Sequence, residues 1–315
     1  MIEVLFNEII NKLKAEEELR KNICEKIIKN TEIKKKIDLD VEEFSVCSVD
    51  SGFTKKMLSA IDISIIKTAS VFLKFKNNKL VEFRKYPENV KEELFYFKTF
   101  SELELNKKLN EKRWLKEVNL AMEACRIFKP DVLLLDGPLL NTNISKKTNE
   151  CVYENLLSLK DELKDLIIAG IVEDSRSVAL CNFLAKFDLL TNEEKILIEK
   201  SFDTNITHHL LKNLERTIAL PLYKKINFFY LKVSQFDRPL KIEVINNIEE
   251  EIDKLSSIII KTAFSNYYTI PIPIIEADLS ARVNENALNE ICERFKSLME
   301  NLPSLFKLRR DSRPL

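Results

Sequence analysis

The sequence predicts an α/β protein with a mixed sheet, an antiparallel meander followed by parallel strands, flanked by helices. Three observations carry that prediction. The apolar runs Val132-Leu133-Leu134-Leu135 and Leu166-Ile167-Ile168-Ala169 do not alternate, as expected of strands buried on both faces. Two β-rich segments, 60–76 and 79–86, are joined by Asn77-Asn78, a hairpin-type turn. All 3 glycines of the 315-residue chain stand beside acids at the ends of apolar runs: Val49-Asp50-Ser51-Gly52, Leu135-Asp136-Gly137 and Gly170-Ile171-Val172-Glu173-Asp174. Glycine weakens helices and strands, so a chain this poor in it keeps it where the backbone turns or something approaches closely.

Taken in order, residues 2–37 read as one helix, because Ile2, Leu5, Phe6, Ile9, Ile10 and Leu13 recur at helical spacing among charges. Residues 44–50 are the first strand of the meander. A helix over 107–128 turns Leu109, Leu115, Val118, Met122 and Cys125 inward and stops before Pro130. Strand 131–136, helix 148–165, strand 166–173 and helix 177–186 follow. The span 192–217 reads as helical and polar enough to be a surface insertion. Strands at 226–233 and 239–245 meet at Asp237-Arg238-Pro239, and helices close the chain at 247–263 and 276–300. With no linker or repeat, the economical division is an N-terminal helical segment, 1–40, and one large domain, 41–315, with a helical insertion at about 190–217. A meander followed by two parallel helix–strand units is the ribonuclease H-like order. That order sets Asp50 and Asp136 on neighbouring strands, near the point where the topology switches.

Composition narrows the functional classes. A hydrophobic share of 45% and a charged share of 32% are ordinary for a globular protein. The formal net charge of zero argues against a generic DNA-coating protein, yet it allows a nucleic-acid enzyme whose cations line one channel. The basic clusters Lys34-Lys35-Lys36, Lys74-Phe75-Lys76 and Lys307-Leu308-Arg309-Arg310 read as solvated helix ends or turns. No apolar stretch reaches the roughly 18–20 residues of a membrane span, and Glu3, Asn7 and Glu8 break any signal-peptide pattern. The 6 cysteines are scattered singly, as buried reduced thiols of a cytoplasmic protein would be. The 2 histidines, His208 and His209, are adjacent in a helical segment and are assigned no role.

Chemistry concentrates in carboxylates. Asp50 and Asp136 each follow an apolar strand, and a third acid pair, Glu173-Asp174, repeats the pattern. One such acid is explained by an Asx turn; three suggest a site for divalent cations. Glu117 sits at the border of its helix's apolar stripe, on one face with Arg113 and Ala121, and Glu123 lies closer to the polar side. A surface glutamate is the plain alternative for either. The segment Tyr267-Tyr268-Thr269-Ile270-Pro271-Ile272-Pro273 reads as an extended approach to a helix carrying Glu276, Asp278 and Arg282. Acids in a first helical turn are favoured by the helix dipole whatever their function.

Together these motifs resemble the NurA nucleases. The resemblance covers about residues 45–285 and rests on Val49-Asp50-Ser51-Gly52, Leu135-Asp136-Gly137-Pro138-Leu139, Gly170-Ile171-Val172-Glu173-Asp174-Ser175, the strand pair from Phe229 to Glu243, and Ile272-Pro273-Ile274-Ile275-Glu276-Ala277-Asp278. It implies a ribonuclease H-like fold and a DNA nuclease, an exonuclease with single-strand endonuclease activity as an option, using two Mn²⁺ or Mg²⁺ ions. It further implies a homodimer that works with a hexameric HerA-type helicase-translocase in DNA end resection and double-strand break repair. By position it makes Asp50, Glu117, Asp136 and Asp278 the metal ligands. Lys232 and Arg238 become candidates to contact phosphate, with Tyr268 as a pocket wall. Glu173 stands where the family often has lysine, so it either replaces a cation or adds a ligand. The competing reading is a non-catalytic nucleic-acid-binding or motor-adaptor protein of the same fold.

Overall fold

The computed structural model describes residues 2–58, 61–98, 101–141, 143–246 and 248–298; the basic cluster at 307–310 lies outside them. From the N-terminus come α1 (Ile2–Asn30) and β1 (Lys34–Lys36), then β2 (Glu43–Met57), β3 (Ile61–Lys76), β4 (Lys79–Tyr86) and β5 (Glu92–Lys98). Helix α2 (Glu102–Phe128) leads to β6 (Val132–Asp136), α3 (Lys146–Glu162) and β7 (Ile167–Val172). Three short helices follow: α4 (Ala179–Leu184), α5 (Asn192–Glu199) and α6 (Asp203–Leu210). Strands β8 (Glu215–Thr217), β9 (Leu220–Tyr223), β10 (Ile226–Lys232) and β11 (Leu240–Ile245) precede α7 (Glu249–Thr262), α8 (Ile272–Ala281) and α9 (Glu285–Leu298). The chain divides into two compact units, residues 1–41 with 169–271 and residues 42–168 with 272–315.

The second unit holds the ribonuclease H-like mixed sheet. β2 runs antiparallel to β3 from Glu43↔Lys76 to Met57↔Asp62. Asn77 and Asn78, at φ 50° and 59°, make the tight turn into β4. β5, which the sequence reading missed, pairs with the other end of β3. β6 is parallel to β2 with Val46 opposite Val132 and Val49 opposite Leu135, and its apolar run is fully buried as the lack of alternation required. α2 begins five residues earlier than periodicity suggested because Ser101 and Glu104 form a capping box. It ends at Lys129, in the left-handed region, just before Pro130. The expected helix over 276–300 is two helices: α8 starts at Ile272 with Pro273 in its first turn, and residues 282–284 separate it from α9.

In the unit of residues 1–41 and 169–271, β10 is the central strand, antiparallel to β11, β8 and β9, with β11 antiparallel to β7. The expected helix to residue 37 ends at Asn30 instead. Lys34–Lys36 extends as an edge strand on β8, register Lys34↔Thr217, so this basic cluster is not a helix end. The span 192–217 is not uniformly helical either, since it finishes in β8. Its helices bury Ile198, Ile206 and Leu210 against Ile23, Cys24 and Ile27 of α1. Arg216, fully buried, donates to Asp253 (2.7 and 2.9 Å), to Glu249 of α7 and to its neighbour's carbonyl, and so ties β8 to α7. Cys24, Cys47, Cys125, Cys181 and Cys292 are buried and Cys151 is exposed, none of them in a disulfide. Among the described residues no helix is long and apolar enough to cross a membrane.

Candidate metal centre

Register explains why two acids 86 residues apart meet. Because Val49 faces Leu135 across the parallel pair, the next residues, Asp50 and Asp136, come side by side. Asp50 is not at a strand end, as the sequence suggested, since β2 continues to Met57. Asp136 does end its strand, and Gly137 follows at φ +102°, a conformation open to glycine. Glu117 projects from the buried side of α2, only 5% exposed. Asp50, Glu117 and Asp136 line one small polar cavity of about 150 Å³ with Asn110, Arg113, Trp114 and Asn141.

Charge in the cavity is unbalanced. Burial pushes the Glu117 carboxyl up to about 7, and the neighbouring Asp50 and Asp136 add to the rise against the opposing effect of Arg113 and Ser51. Asp50 is also raised, first by burial and further by Asp278, while the Ser51 amide and Arg113 pull it down. Arg113 is the cation of the group. Its Nε donates to Ser51 Oγ at 3.0 Å and its Nη2 to the Ser51 carbonyl. The same Nη2 lies 3.6 Å from Glu117 Oε1 and 4.0 Å from Asp50 Oδ1. The Ser51 hydroxyl donates to Glu117. The indole N–H of Trp114 is buried without a hydrogen-bond partner among the described residues.

This donor set fits hard divalent cations. Several carboxylates converge on one cavity with a single guanidinium against them, and oxygen ligands suit Mg²⁺ and Mn²⁺. Among the described residues no three acidic, histidine or cysteine side chains already close into a cation cage. Arg113 neutralises part of the charge.

Asp278 reaches the same neighbourhood from α8, which packs on β2 and β3. It lies in the body of a helix that starts at Ile272, so capping does not account for it. It pairs with Arg282 at 3.2 Å. Lys232, Arg238, Tyr268 and Glu173 belong to the other unit. Lys232 is buried, its pKa lowered by that burial; it donates to the Asp237 carbonyl and lies 3.5 Å from His208 Nδ1. His208 therefore touches a candidate residue, and His209 contacts Glu17 at 2.7 Å. Arg238 is exposed beside Asp174 at 3.7 Å, Tyr268 sits edge-on to Phe264, and Glu173 is half-buried just past β7. Sequence reasoning missed Ser51, Trp114 and the central place of Arg113. The four-residue spacing of Arg113 and Glu117 was the available signal. It also missed the buried pair Lys241–Glu243, 2.7 Å apart in the other unit.

Comparison with known proteins identifies the family and the fold. A family model described as the NurA domain matches residues 44–283. The fold is similar to the crystal structure of the NurA nuclease from Sulfolobus solfataricus, with TM-score 0.64 and 11% identity over 96% of this chain and 98% of that one. A NurA structure with dAMP and manganese gives TM-score 0.52 at 11% identity, covering 97% of this chain and 98% of that one. A NurA structure with manganese gives 0.51 at 11%, covering 95% and 99%. No curated protein matches the sequence.

Proposed function

The chain belongs to the NurA family, and from that membership and its acidic cavity we propose that it is a metal-dependent DNA nuclease that hydrolyses phosphodiester bonds. The observation that carries the reading is the convergence of Asp50, Glu117 and Asp136 on one cavity, where burial first, and the two neighbouring carboxylates after it, raise Glu117 to about 7. Related structures with manganese, one with dAMP as well, support the choice of metal and of a nucleotide substrate. Asp50, Glu117 and Asp136 would hold two Mn²⁺ or Mg²⁺ ions, with Asp278 as a fourth ligand. Such ions supply a water of lowered pKa and offset the charge on the departing oxygen. Arg113 and Ser51 keep the Asp50 and Glu117 carboxyls aimed into the cavity. Trp114 and Pro138 complete the lining of the cavity.

The finer reading follows the resemblance: exonuclease action in end resection, as a cytoplasmic homodimer docked to a HerA-type hexameric translocase. Lys232, Arg238 and Tyr268 would contact DNA, and Glu173 would act beside them. The decisive experiment incubates the full-length protein with single- and double-stranded DNA and Mn²⁺, with and without chelator. Cleavage that chelator abolishes is expected. A folded protein that cuts neither substrate would return the chain to the non-catalytic adaptor reading.

A further inference from the structure

The flank of α2 away from its packed side carries a second cavity. A groove of about 560 Å³ is lined by Tyr96 and Lys98 of β5, Lys108, Glu111 and Lys112 of α2, and Thr148 of α3, among others. Its chemistry follows from strand alternation. β5 turns Phe95 and Phe97 towards the cluster of Ile66, Leu105 and Leu109, which leaves Tyr96 and Lys98 pointing outward. Lys108 and Lys112 stand one helical turn apart on α2. The Lys112 ammonium lies 4.3 Å over the Phe95 ring, and neither it nor Lys98 has a carboxylate partner among the described residues. The only acid in the lining, Glu111, is engaged by the Ser145 amide at 2.8 Å. The lining thus holds three lysines, of which Lys108 also faces Glu104, and a tyrosine that is 80% exposed.

We propose that this groove binds one single strand of nucleic acid, its phosphates on Lys98, Lys108 and Lys112 and a base stacked on Tyr96. The proposal rests on the nuclease reading and names where its substrate strand runs. The groove and the acid cavity flank the same loop. Thr148 lines the groove and bonds Ser145, while Asn149 holds the Asn141 carbonyl, and Asn141 lines the acid cavity. A strand leaving the groove past Thr148 would pass along the loop that carries Asn141 to the acid cavity. Bases locked in a duplex cannot stack on an exposed ring, so the site favours unpaired substrate.

The test measures binding of a fluorescein-labelled single-stranded oligonucleotide by anisotropy, in chelator to prevent cleavage, across a salt series. Each lost phosphate contact should flatten the slope of log K against log salt by about 0.7. The triple variant Lys98→Ala/Lys108→Ala/Lys112→Ala should therefore lose about 2 from the slope. Tyr96→Ala should leave the slope alone and weaken binding on the order of 5- to 150-fold. Unchanged slope and affinity would overturn the proposal. So would a poly-glutamate peptide that competes equally well with wild type and Tyr96→Ala, since the groove would then be a generic anion surface. Quenching of Trp114 fluorescence by Mn²⁺, read on chelator-free samples of the same preparations without oligonucleotide, separates the two claims. Quenching with unaltered oligonucleotide binding removes the groove alone, whereas groove binding without quenching removes the metal centre alone.

Discussion

Asp50 and Asp136 are adjacent because one parallel register makes them so, and their substitution is the sharpest test of the site. Asp50→Asn and Asp136→Asn each keep the shape of the side chain and remove a ligand charge. Each should abolish Mn²⁺-dependent cleavage, a loss beyond the roughly 10–100-fold expected from disturbing an outer hydrogen-bonding partner. Stability in chelator should hold or rise, because either change relieves repulsion on the buried Glu117. Cleavage rates and thermal melts on the same preparations check both halves, and full activity in either variant would remove the assignment. These acids were legible in the sequence because an apolar run, an acid and a nearby glycine occur together. Glu117 was visible at the border of its helical stripe. The hydrogen bonds that join Arg113 to Ser51 were not, since they span 62 residues and depend on how α2 lies along β2.

At the scale of elements, the contact of α8 with β2 sets the position of Asp278. Gly52 lies within β2, not at a turn, and a Cβ there would stand 2.4 Å from the Ala281 carbonyl oxygen. That oxygen is backbone and cannot swing aside. Gly52→Ala should therefore push α8 off the strand at a cost of about 1–3 kcal/mol. Because Asp278 rides on α8, cleavage should fall further than the melting temperature alone accounts for. Denaturant melts with parallel kinetics decide it, and a variant with wild-type stability and rate would mean the helix needs no close approach. The sequence marked Gly52 as a place of close approach but assigned it to a strand end. The hairpin at Asn77-Asn78 and the buried β6 were legible because their signals are local. The stop of α1 at Asn30 was not, because Lys34–Lys36 becomes a strand only by pairing with β8, some 180 residues away. The break between α8 and α9 was hidden by apolar spacing that continues across residues 282–284.

For the whole molecule, the division into units explains why segment deletions are poor probes. Each unit is assembled from two separated stretches of chain, 1–41 with 169–271 and 42–168 with 272–315. Removing residues 1–37 to test assembly would strip Ile23, Cys24, Ile27 and Ile33 from a packed core, where a single large-to-small change can cost about 2–5 kcal/mol. The first half of α1 is different: Leu5, Phe6, Ile9 and Leu13 are all exposed. Such a stripe on a helix is more apolar surface than solvent tolerates without a partner. Substitution is therefore the cleaner experiment. In Leu5→Lys/Ile9→Lys/Leu13→Lys the melting free energy should stay within about 0.5 kcal/mol of wild type, because these side chains leave the core untouched. If the stripe joins two copies, as the homodimer reading proposes, the mass by light scattering should be that of a dimer for wild type and of a monomer for the variant at the same protein concentration. If the variant stays dimeric, the stripe does not join two copies of this chain; pull-down with a HerA-type hexamer then tests whether it meets the motor instead.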